Sequence, residues 1–406
     1  MTHLRAGDLD PEFGNDGIKP LEPHGDFYKC HSLSASGEGL FVAGGNQGPS
    51  GTYTNFVLIK LDQQGERVKE FASNGVAEGR FTSDASLSSL GLKVFTLDNS
   101  NILLLGQFTN GTGAHLPGTA LFSATGQLDL SYGTLGTHVV HTSLIPEYGG
   151  IGGTVIDGCR QADDALVTIN THTAPDRTTT LIVKTNPNGT PANEFNDGLG
   201  YVDAEQRGGE VTLLNAVATD EKDAILVCGS TTDVRNIKTG IIRRLDPNGR
   251  DDNSFANKGE LRSTAWNFDF LQVCSDRIIC CGSTTSDEAL ILQLDPYGNP
   301  LHAPSITPAG VSTRWIKTAW HENKILALGE QKTAFGVTTV VARFDERGIP
   351  DPTFGGDQQG WVALHFQGED GNPTDIVVDS GGRIVVLATN ESLVGTRTAY
   401  LARLLN

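Results

Sequence analysis

The chain has 406 residues, of which 38% are hydrophobic and 49 are glycine, and its formal net charge is −18. This acidic balance disfavours polyanionic partners, so we expect neither nucleic-acid binding nor attachment to an anionic membrane. No apolar run approaches the roughly 20 residues needed to span a bilayer, and residues 1–8 contain no apolar leader segment. We therefore expect a soluble acidic protein that is cytoplasmic, or is exported without a cleaved signal peptide.

Two kinds of apolar strand alternate along the chain. The first kind follows a short turn of Gly, Asp or Asn and recurs at residues 39–45, 101–106, 164–169, 223–229, 276–282, 323–329 and 382–388. Short apolar and β-branched runs between turn signals are typical of strands buried on both faces. The second kind comes next each time, at residues 56–62, 120–124, 181–186, 241–246, 291–295, 340–345 and 400–405.

Turn residues close most strands of the second kind, as in Asp246-Pro247-Asn248-Gly249. Proline presets φ, Asx side chains bond nearby backbone groups, and glycine takes positive φ, so this is a strong turn signal. The repeated Asx positions could also suggest calcium; they are Asp62, Asn186, Asp246, Asp295 and Asp345. We interpret them as turn residues, because a calcium loop gathers several oxygen ligands whereas each turn here offers one or two carboxylates.

An aromatic residue followed closely by glycine punctuates the repeats, at Phe13, Phe71, Tyr132, Phe195, Phe255 and Phe354. The copy near residues 306–310 is degenerate. A spacing of about 60 residues fits four strands per repeat, and four-stranded sheets repeated radially are propeller blades. We expect the inner strand of each blade to follow this turn, and we expect the aromatic side chains to pack between blades.

The two ends of the chain predict how the ring closes. The chain stops at Leu404-Leu405-Asn406, inside a strand of the second kind, and residues 7–14 match the segment that should follow that strand's turn. Joining the two ends removes exposed sheet edges. We predict an all-β fold that forms one domain over residues 1–406. This fold is a seven-bladed β-propeller of four-stranded blades, closed by the N-terminal segment, which completes the last blade.

Three stretches carry a resemblance to a known family. The Leu-Asp-Pro-x-Phe-Gly-x-x-Gly stretch at 9–17, the Gly-Arg-Ile-Val-Val strand at 382–386 and the Arg-Leu-Asp-Pro-Asn-Gly turn at 244–249 resemble the bacterial delta-60 repeat. The resemblance covers essentially the whole chain and diverges in the third and sixth repeats. It implies a bacterial propeller-like repeat protein. The family carries no established catalytic residues to transfer, so the resemblance leaves the function open.

No group of residues indicates a named chemistry. Cys228, Cys280 and Cys281 lie in apolar strand patterns and are interpreted as free buried thiols; a Cys274–Cys281 disulfide or a metal site is the alternative. His138 is three residues from a second histidine on a predicted strand, so the two side chains point to opposite faces. Phosphate-loop, nucleophile-elbow and zinc-protease motifs are absent from the sequence. We therefore predict no catalytic residue, no metal ligand and no cofactor.

One set of loops varies in length and content, whereas the other set is short and regular. The variable loops span residues 46–55, 107–119, 141–153, 171–180, 264–268 and 330–337. Strand order in a four-stranded blade places all of them on one face of the ring. Loops on a rigid scaffold commonly carry function. Their aromatic and histidine side chains are the candidate ligand-binding residues, namely Tyr53, Phe108, His115, Tyr148, His172 and Trp266.

The function that we predict is a non-enzymatic binding or scaffold propeller that recognises a protein or carbohydrate ligand through this face. The alternative is a hydrolase or lyase with its active site at the mouth of the central channel. That alternative requires titratable groups on the predicted inner strands to converge, and the candidates are Lys19, His138, Asp203, Arg262 and His365. The fold does not decide between the two, because propellers host both functions.

Overall fold

The computed structural model describes residues 4–21, 28–47, 54–84, 87–109, 115–139, 153–173, 178–205, 210–307, 313–333, 336–356, 359–366, 371–391 and 397–406. The elements of the first half are β1 (Ile18–Leu21), β2 (Tyr28–Ser36), β3 (Gly39–Gln47), β4 (Thr54–Leu61), β5 (Val76–Gly79), β6 (Ser89–Thr96), β7 (Ile102–Thr109), β8 (His115–Phe122), β9 (Thr137–Val139), β10 (Gly153–Arg160), β11 (Leu166–Thr173), β12 (Thr178–Thr185), the short helical turn α1 (Phe195–Gly198) and β13 (Tyr201–Asp203). Those of the second half are β14 (Val211–Thr219), β15 (Ile225–Thr232), β16 (Lys238–Leu245), β17 (Glu260–Ser263), β18 (Trp266–Cys274), β19 (Arg277–Thr284), β20 (Ala289–Leu294), β21 (Ser305–Thr307), β22 (Thr313–His321), β23 (Lys324–Thr333), β24 (Gly336–Phe344), β25 (Trp361–Leu364), β26 (Gly371–Val378), β27 (Ile384–Glu391) and β28 (Arg397–Leu404).

Seven four-stranded antiparallel sheets form the blades of a ring. Blades 1 to 6 each take four consecutive strands, starting with β2 to β5, and blade 7 combines β26, β27 and β28 with β1. In blade 7, Ile18 lies opposite Ala402 and Leu21 lies opposite Ala399. The N–H of Gly7 also donates to the carbonyl of Leu405 at 2.8 Å. The predicted seven-bladed propeller, closed by the N-terminal segment, is confirmed.

The order of strands within a blade differs from the prediction. The first strand of each blade packs against the first strands of its neighbours, so the innermost strands are β2, β6, β10, β14, β18, β22 and β26. The strand after the aromatic–glycine turn is therefore outermost, and the expectation that it lines the channel was wrong. These outermost strands are only three or four residues long. A short strand suffices there because one of its edges faces solvent.

The core lies between adjacent sheets. Strands such as β15 and β19 are buried on both faces over most of their length, as their apolar runs predicted. One cluster joins Phe41, Phe56 and Phe71 of blade 1 to Leu104 and Phe122 of blade 2. Each interface is thus a layer of apolar side chains shared by two blades, so no blade buries its faces alone.

The recurring aromatic residue is a wedge between blades. Phe13 is fully buried, and the Arg403 guanidinium lies over its ring at 4.7 Å. Asp10 accepts a hydrogen bond from Arg403 Nε at 3.0 Å. A Cβ on Gly65, in the turn of blade 1, would approach the Phe13 ring to 2.7 Å, so only glycine fits there. The motif therefore clamps blade 7 to blade 1, and the expectation that the aromatics pack between blades is confirmed.

All six cysteines are free, and burial raises the pKa of their thiols. The pKa rises to about 12 for Cys30 and Cys159, and to about 11 for the partly exposed Cys274. The interpretation of Cys228, Cys280 and Cys281 as free buried thiols is confirmed, and a thiolate nucleophile is disfavoured. Among the described residues, no helix has the length and apolar character to cross a membrane.

Candidate functional site

The two faces of the ring differ in their connections. We call one face the loop face; it carries the links from each outermost strand to the next blade and from the second strand of each blade to the third. The opposite face is the turn face; it carries the turns from the first strand to the second and from the third to the outermost. On the turn face, Asp246 Oδ1 accepts the N–H groups of Asn248 at 2.8 Å and Arg250 at 2.9 Å. Asp295 and Asp345 hold their turns in the same way. Their interpretation as turn residues is confirmed.

The residues predicted at the channel mouth lie on the outer rim. Lys19, His138, Asp203 and Arg262 belong to the outermost strands β1, β9, β13 and β17, and His365 follows β25. Their predicted convergence on the channel axis was wrong, because it rested on the inverted strand order. The enzyme alternative thereby loses the residues proposed for it.

Four of the six candidate ligand-binding residues are buried or lie outside the described residues. Tyr53 and Tyr148 lie outside them. Phe108 and His172 are buried, at 5% and 3% exposure. His172 Nε2 lies against Asn170 Nδ2 at 2.5 Å, and burial lowers the pKa of its imidazole. Phe108 and His172 offer little side-chain surface on the loop face, and their contact with a ligand stays a prediction.

The other two candidates are partly exposed but belong to different blades. His115 at the start of β8 has its Nδ1 3.0 Å from Thr109 Oγ1, and burial lowers the pKa of its imidazole. Trp266 begins β18 and meets the Phe268 ring edge-on at 6.2 Å. The four described candidates belong to blades 2, 3 and 5, so the structure does not bring these four together into one site.

Charged groups in the channel come from the innermost strands. Each of these seven strands contains a register shift at an equivalent position, which is the signature of a β-bulge. Bulges re-aim side chains at sheet edges and barrel rims. The acidic residues on these strands are Asp157, Asp269 and Asp375. Their ion pairs are Lys93–Asp157 at 2.7 Å, Arg314–Asp269 at 2.5 Å and Lys317–Asp375 at 2.8 Å.

Two of these carboxylates also join neighbouring blades through the backbone. Asp157 accepts the N–H of Val217 at 3.1 Å, and Asp375 accepts the N–H of Leu33 at 2.8 Å. Burial opposes the charge of Lys93, but Asp157 and Asp375 outweigh it and raise the pKa of its ammonium. These charges are therefore mutually compensated parts of the ring's inner wall.

His31, on the innermost strand β2, has a buried imidazole nitrogen. Its Nε2 is buried without a hydrogen-bond partner, and burial, followed by the nearby Lys29, lowers its pKa to about 4. The imidazole is therefore neutral in the folded protein at neutral pH.

A polar cavity of about 210 Å³ opens at the loop-face rim of blades 4 to 6, and we call it the loop-face cleft. Its lining residues are Lys238, Asn267, Asp269, Ser283, Asp287, Thr313, Arg314, Glu330 and Lys332. Three cations and three carboxylates balance there, in a chain whose net charge is −18. The cleft is thus locally neutral and rich in both donors and acceptors.

Arg314 is the central cation of the cleft. Its Nε and Nη2 bond the two oxygens of Asp269, and this pairing raises the pKa of the guanidinium against the opposing effect of burial. The Arg314 side chain remains 46% exposed, so the remaining N–H groups are available to a ligand. Glu330 lies 3.9 Å from Lys332, which is 59% exposed. Asp269 therefore holds the guanidinium in place beside a second accessible cation.

Within the described ranges, no group of three or more His, Cys, Asp or Glu residues is arranged to hold a metal ion. The cleft lining contains no cysteine or histidine, and its two hydroxyls belong to Ser283 and Thr313. Its side chains are therefore suited to binding a polar molecule by hydrogen bonds.

The sequence contained one signal for the cleft that the loop pattern missed. Asp269 stands between Phe268 and Phe270, where a charge interrupts an apolar strand. A charged residue between apolar neighbours needs a compensating partner, so it points to an ion pair or to a site.

No family model matches this chain, and no curated protein matches it. Among solved structures, it is similar to the polysaccharide lyase Uly1, with 11% identity, a TM-score of 0.47 and 78% of each chain covered. It is also similar to the Trypanosoma rangeli sialidase, with 10% identity and a TM-score of 0.42 over 98% of this chain and 59% of that one. A protein of unknown function from Dyadobacter fermentans gives 9% identity and a TM-score of 0.45, over 96% of this chain and 100% of that one. Such distant likeness transfers no residue role and no activity.

Proposed function

We propose that this propeller is a non-enzymatic binding protein that holds a glycan in the loop-face cleft. The observation that carries the proposal is the composition of the cleft, where amide, hydroxyl, carboxylate and cationic groups line one concavity. A sugar hydroxyl both donates and accepts hydrogen bonds, so it needs both kinds of partner within reach. The cleft supplies both without net charge.

The size of the cleft favours a sugar unit over a protein surface. A cavity of about 210 Å³ admits one small polar unit. A specific protein interface covers roughly 800 Å² per partner and centres on aromatic or arginine anchors in apolar surroundings. Trp266 at the edge of blade 5 is only partly exposed and packs on Phe268, so it does not form such a centre alone.

The carboxylates of the cleft are poorly suited to catalysis. Glycoside hydrolysis uses two carboxyl groups, one of which must stay protonated in an environment that raises its pKa. Asp269 is bound to Arg314, Glu330 lies beside Lys332, and Asp287 is exposed to solvent. None of the three sits in an apolar pocket without a cation or solvent. We therefore propose binding without turnover.

The resemblance to the delta-60 repeat remains a proposal about ancestry. The motif residues that carry it, such as Asp10 and Phe13, clamp blades together on the turn face. They contribute nothing to the cleft. Membership in that family would therefore be compatible with any ligand on the loop face.

A binding experiment on the full chain tests the proposal. A glycan array followed by calorimetry should find at least one oligosaccharide that binds, and mass spectrometry should recover that oligosaccharide intact. Arg314→Ala should weaken binding by at least about tenfold, because a hydrogen bond to a charged group contributes about 1.5–3 kcal/mol. Arg235→Ala is the matched control, since Arg235 is exposed on the same face and pairs with Asp233 outside the cleft.

Equal affinity of the Arg314→Ala variant and the wild type would refute the assignment of the cleft. Lys332→Ala provides a second test, because this exposed side chain can be truncated without disturbing the Asp269 pair. Release of a shortened product would favour the hydrolase or lyase alternative.

A further inference from the structure

A second cavity opens on the turn face, where blade 4 meets blade 5, and we call it the turn-face pocket. Its volume is about 420 Å³. Its lining has five apolar or aromatic side chains, six charged ones, two serines and Cys274. These residues come from turns of both blades, at 220–222 and 252–254 in blade 4 and at 273–278 and 296–297 in blade 5. A concavity of roughly 300–1,000 Å³ with apolar walls and a few polar groups is typical of a ligand site.

The apolar side chains of the pocket range from fully buried to exposed. Leu226 and Ile278 are buried and form its base, whereas Val273 is partly exposed. Tyr297 is 62% exposed, so its ring stands at the mouth. An aromatic ring that remains accessible beside a cavity offers a flat apolar surface on which a second ring can pack.

The guanidinium in the pocket is already bound to protein groups. Arg244 Nη2 donates to Asp220 Oδ2 at 2.5 Å, and Nη1 donates to the Pro296 carbonyl at 2.6 Å. Its Nε lies 3.3 Å from Asp252 Oδ2. Arg244 therefore joins blade 4 to blade 5. Three cations and three carboxylates line the pocket, so it has no net charge and favours an uncharged ligand.

Val273 in the pocket occupies the position that a tryptophan occupies in the next blade. In blade 5, Val273 lies opposite Ile278, which is the fourth residue pair after the bulge. In blade 6, the fourth pair after the bulge is Trp320 with Ile325. The two blades therefore present a small and a large side chain at equivalent places on their innermost strands.

The partner of this position also differs between the two junctions. At the junction of blades 5 and 6, the Arg277 guanidinium lies over the Trp320 ring at 4.8 Å. Arg277 directly precedes the second-strand residue of the fourth pair, and Ala224 holds that place in blade 4. The junction of blades 4 and 5 thus has Ala224 and Val273 where the next junction has a cation stacked on an indole. This smaller pair leaves space beside Val273.

We propose that the turn-face pocket is a second binding site, which takes an uncharged planar aromatic group of about the size of an indole. The ring lies beside Val273, as the Trp320 ring lies in the next junction, and packs against Tyr297 at the mouth. The carboxylates of Asp220 and Asp252 are acceptors for a ring N–H. The same ring chemistry occurs in a free heteroaromatic molecule and in a tryptophan side chain of a polypeptide. This site is independent of the loop-face cleft and of the proposed glycan.

Binding of small aromatic probes to the full chain tests the proposal. Ligand-observed NMR titrations would use N-acetyltryptophanamide, free indole and N-acetylleucinamide. We expect N-acetyltryptophanamide to bind with a dissociation constant of about 0.1–1 mM, from the usual contribution per heavy atom of a ligand. N-acetylleucinamide should bind at least about fivefold more weakly, because it lacks the ring. Binding of indole as tight as that of the amide would indicate a free heteroaromatic ligand, whereas weaker binding of indole would indicate a polypeptide.

Two substitutions locate the probe. Val273→Trp places in the pocket the residue that the next junction already holds, and it should weaken N-acetyltryptophanamide binding at least about tenfold. Val234→Trp is the matched control, because Val234 is 81% exposed in the β15–β16 link on the loop face. Tyr297→Ala truncates an exposed side chain, so the fold should tolerate it, and it should weaken binding about threefold or more.

Cys274 reports directly on occupancy of the pocket. It lines the pocket and is partly exposed, whereas the other five cysteines are buried. Burial raises the pKa of its thiol to about 11, so alkylation by iodoacetamide would be followed at about pH 9. N-acetyltryptophanamide at about five times its dissociation constant should slow alkylation of Cys274 about fivefold, as measured by peptide mass spectrometry. An unchanged alkylation rate with the probe bound, equal affinity for N-acetylleucinamide, or undiminished binding to Val273→Trp would overturn the proposal.

Discussion

Phe13→Ala is the substitution that most sharply tests how the ring is closed. Phe13 belongs to an N-terminal segment that would look dispensable if it were a tail. In the structure its ring is fully buried, packs against Gly65 of blade 1 and lies under the Arg403 guanidinium. The substitution therefore removes the wedge that joins blade 7 to blade 1.

The expected cost is about 4 kcal/mol. Truncation of a buried phenylalanine to alanine costs about 3–5 kcal/mol through lost transfer free energy and the cavity left behind. The lost cation–π contact with Arg403 adds about 0.5–1 kcal/mol to the cost. Phe255→Ala should cost a similar amount, because Phe255 fills the equivalent position inside the chain, packed against Gly298.

Urea unfolding of the two variants and the wild type measures these costs. Leu4→Ala serves as the control, since Leu4 is 55% exposed and its truncation should change stability by less than about 0.5 kcal/mol. Closure of the ring by the Phe13 wedge is refuted if Phe13→Ala behaves like Leu4→Ala while Phe255→Ala loses about 4 kcal/mol of unfolding free energy.

Three further predictions concern closure and pH. Deletion of residues 1–17 removes the Phe13 clamp and should unfold or oligomerise the chain; a monomer with an unchanged melting temperature in gel filtration and calorimetry would contradict this. Burial opposes ionisation of Asp351, but hydrogen bonds from Lys324 and Thr353 lower the pKa of its carboxyl. The contribution of the Asp351 carboxylate to folding stability is thus complete above about pH 4 and is lost as the pH falls further. Asp351→Asn should therefore lower the free energy of unfolding by about 3 kcal/mol near neutral pH and by much less in acid, as measured by urea unfolding. The pKa of His31 is lowered to about 4 in the folded protein, so as the pH falls the imidazole is protonated in the unfolded chain before it is protonated in the folded one. The free energy of unfolding of the wild type should therefore fall by about 2 kcal/mol between pH 7 and pH 5. His31→Asn should lack this part of the pH dependence.

The sequence predicted the ring because its signals are local and repeated. Turn residues such as Asp246 and wedge residues such as Phe13 recur in most blades, and the two chain ends are complementary halves of one repeat. The sequence did not predict the order of strands within a blade. An apolar strand pattern indicates that a strand is buried, but it does not indicate how far the strand lies from the axis of the propeller. The short outermost strands, such as Thr137–Val139, are visible only in the structure.

The candidate site was harder to predict from the sequence. The cleft combines Asn267 and Ser283 of blade 5 with Arg314 and Glu330 of blade 6, so it depends on how two blades pack. Aromatic residues in loops are a weak guide, because Phe108 serves packing and is buried. The charge of Asp269 between two aromatic residues was the more informative feature, since burying a carboxylate requires a partner such as Arg314.

The most direct measurement is a crystal structure of the full chain with the tightest-binding oligosaccharide from the array. The proposal predicts an uncleaved sugar in the loop-face cleft, with hydroxyls within hydrogen-bond distance of Arg314 and Asn267. A sugar bound at the turn face or on the outer rim, or a cleaved product in the channel, would contradict it.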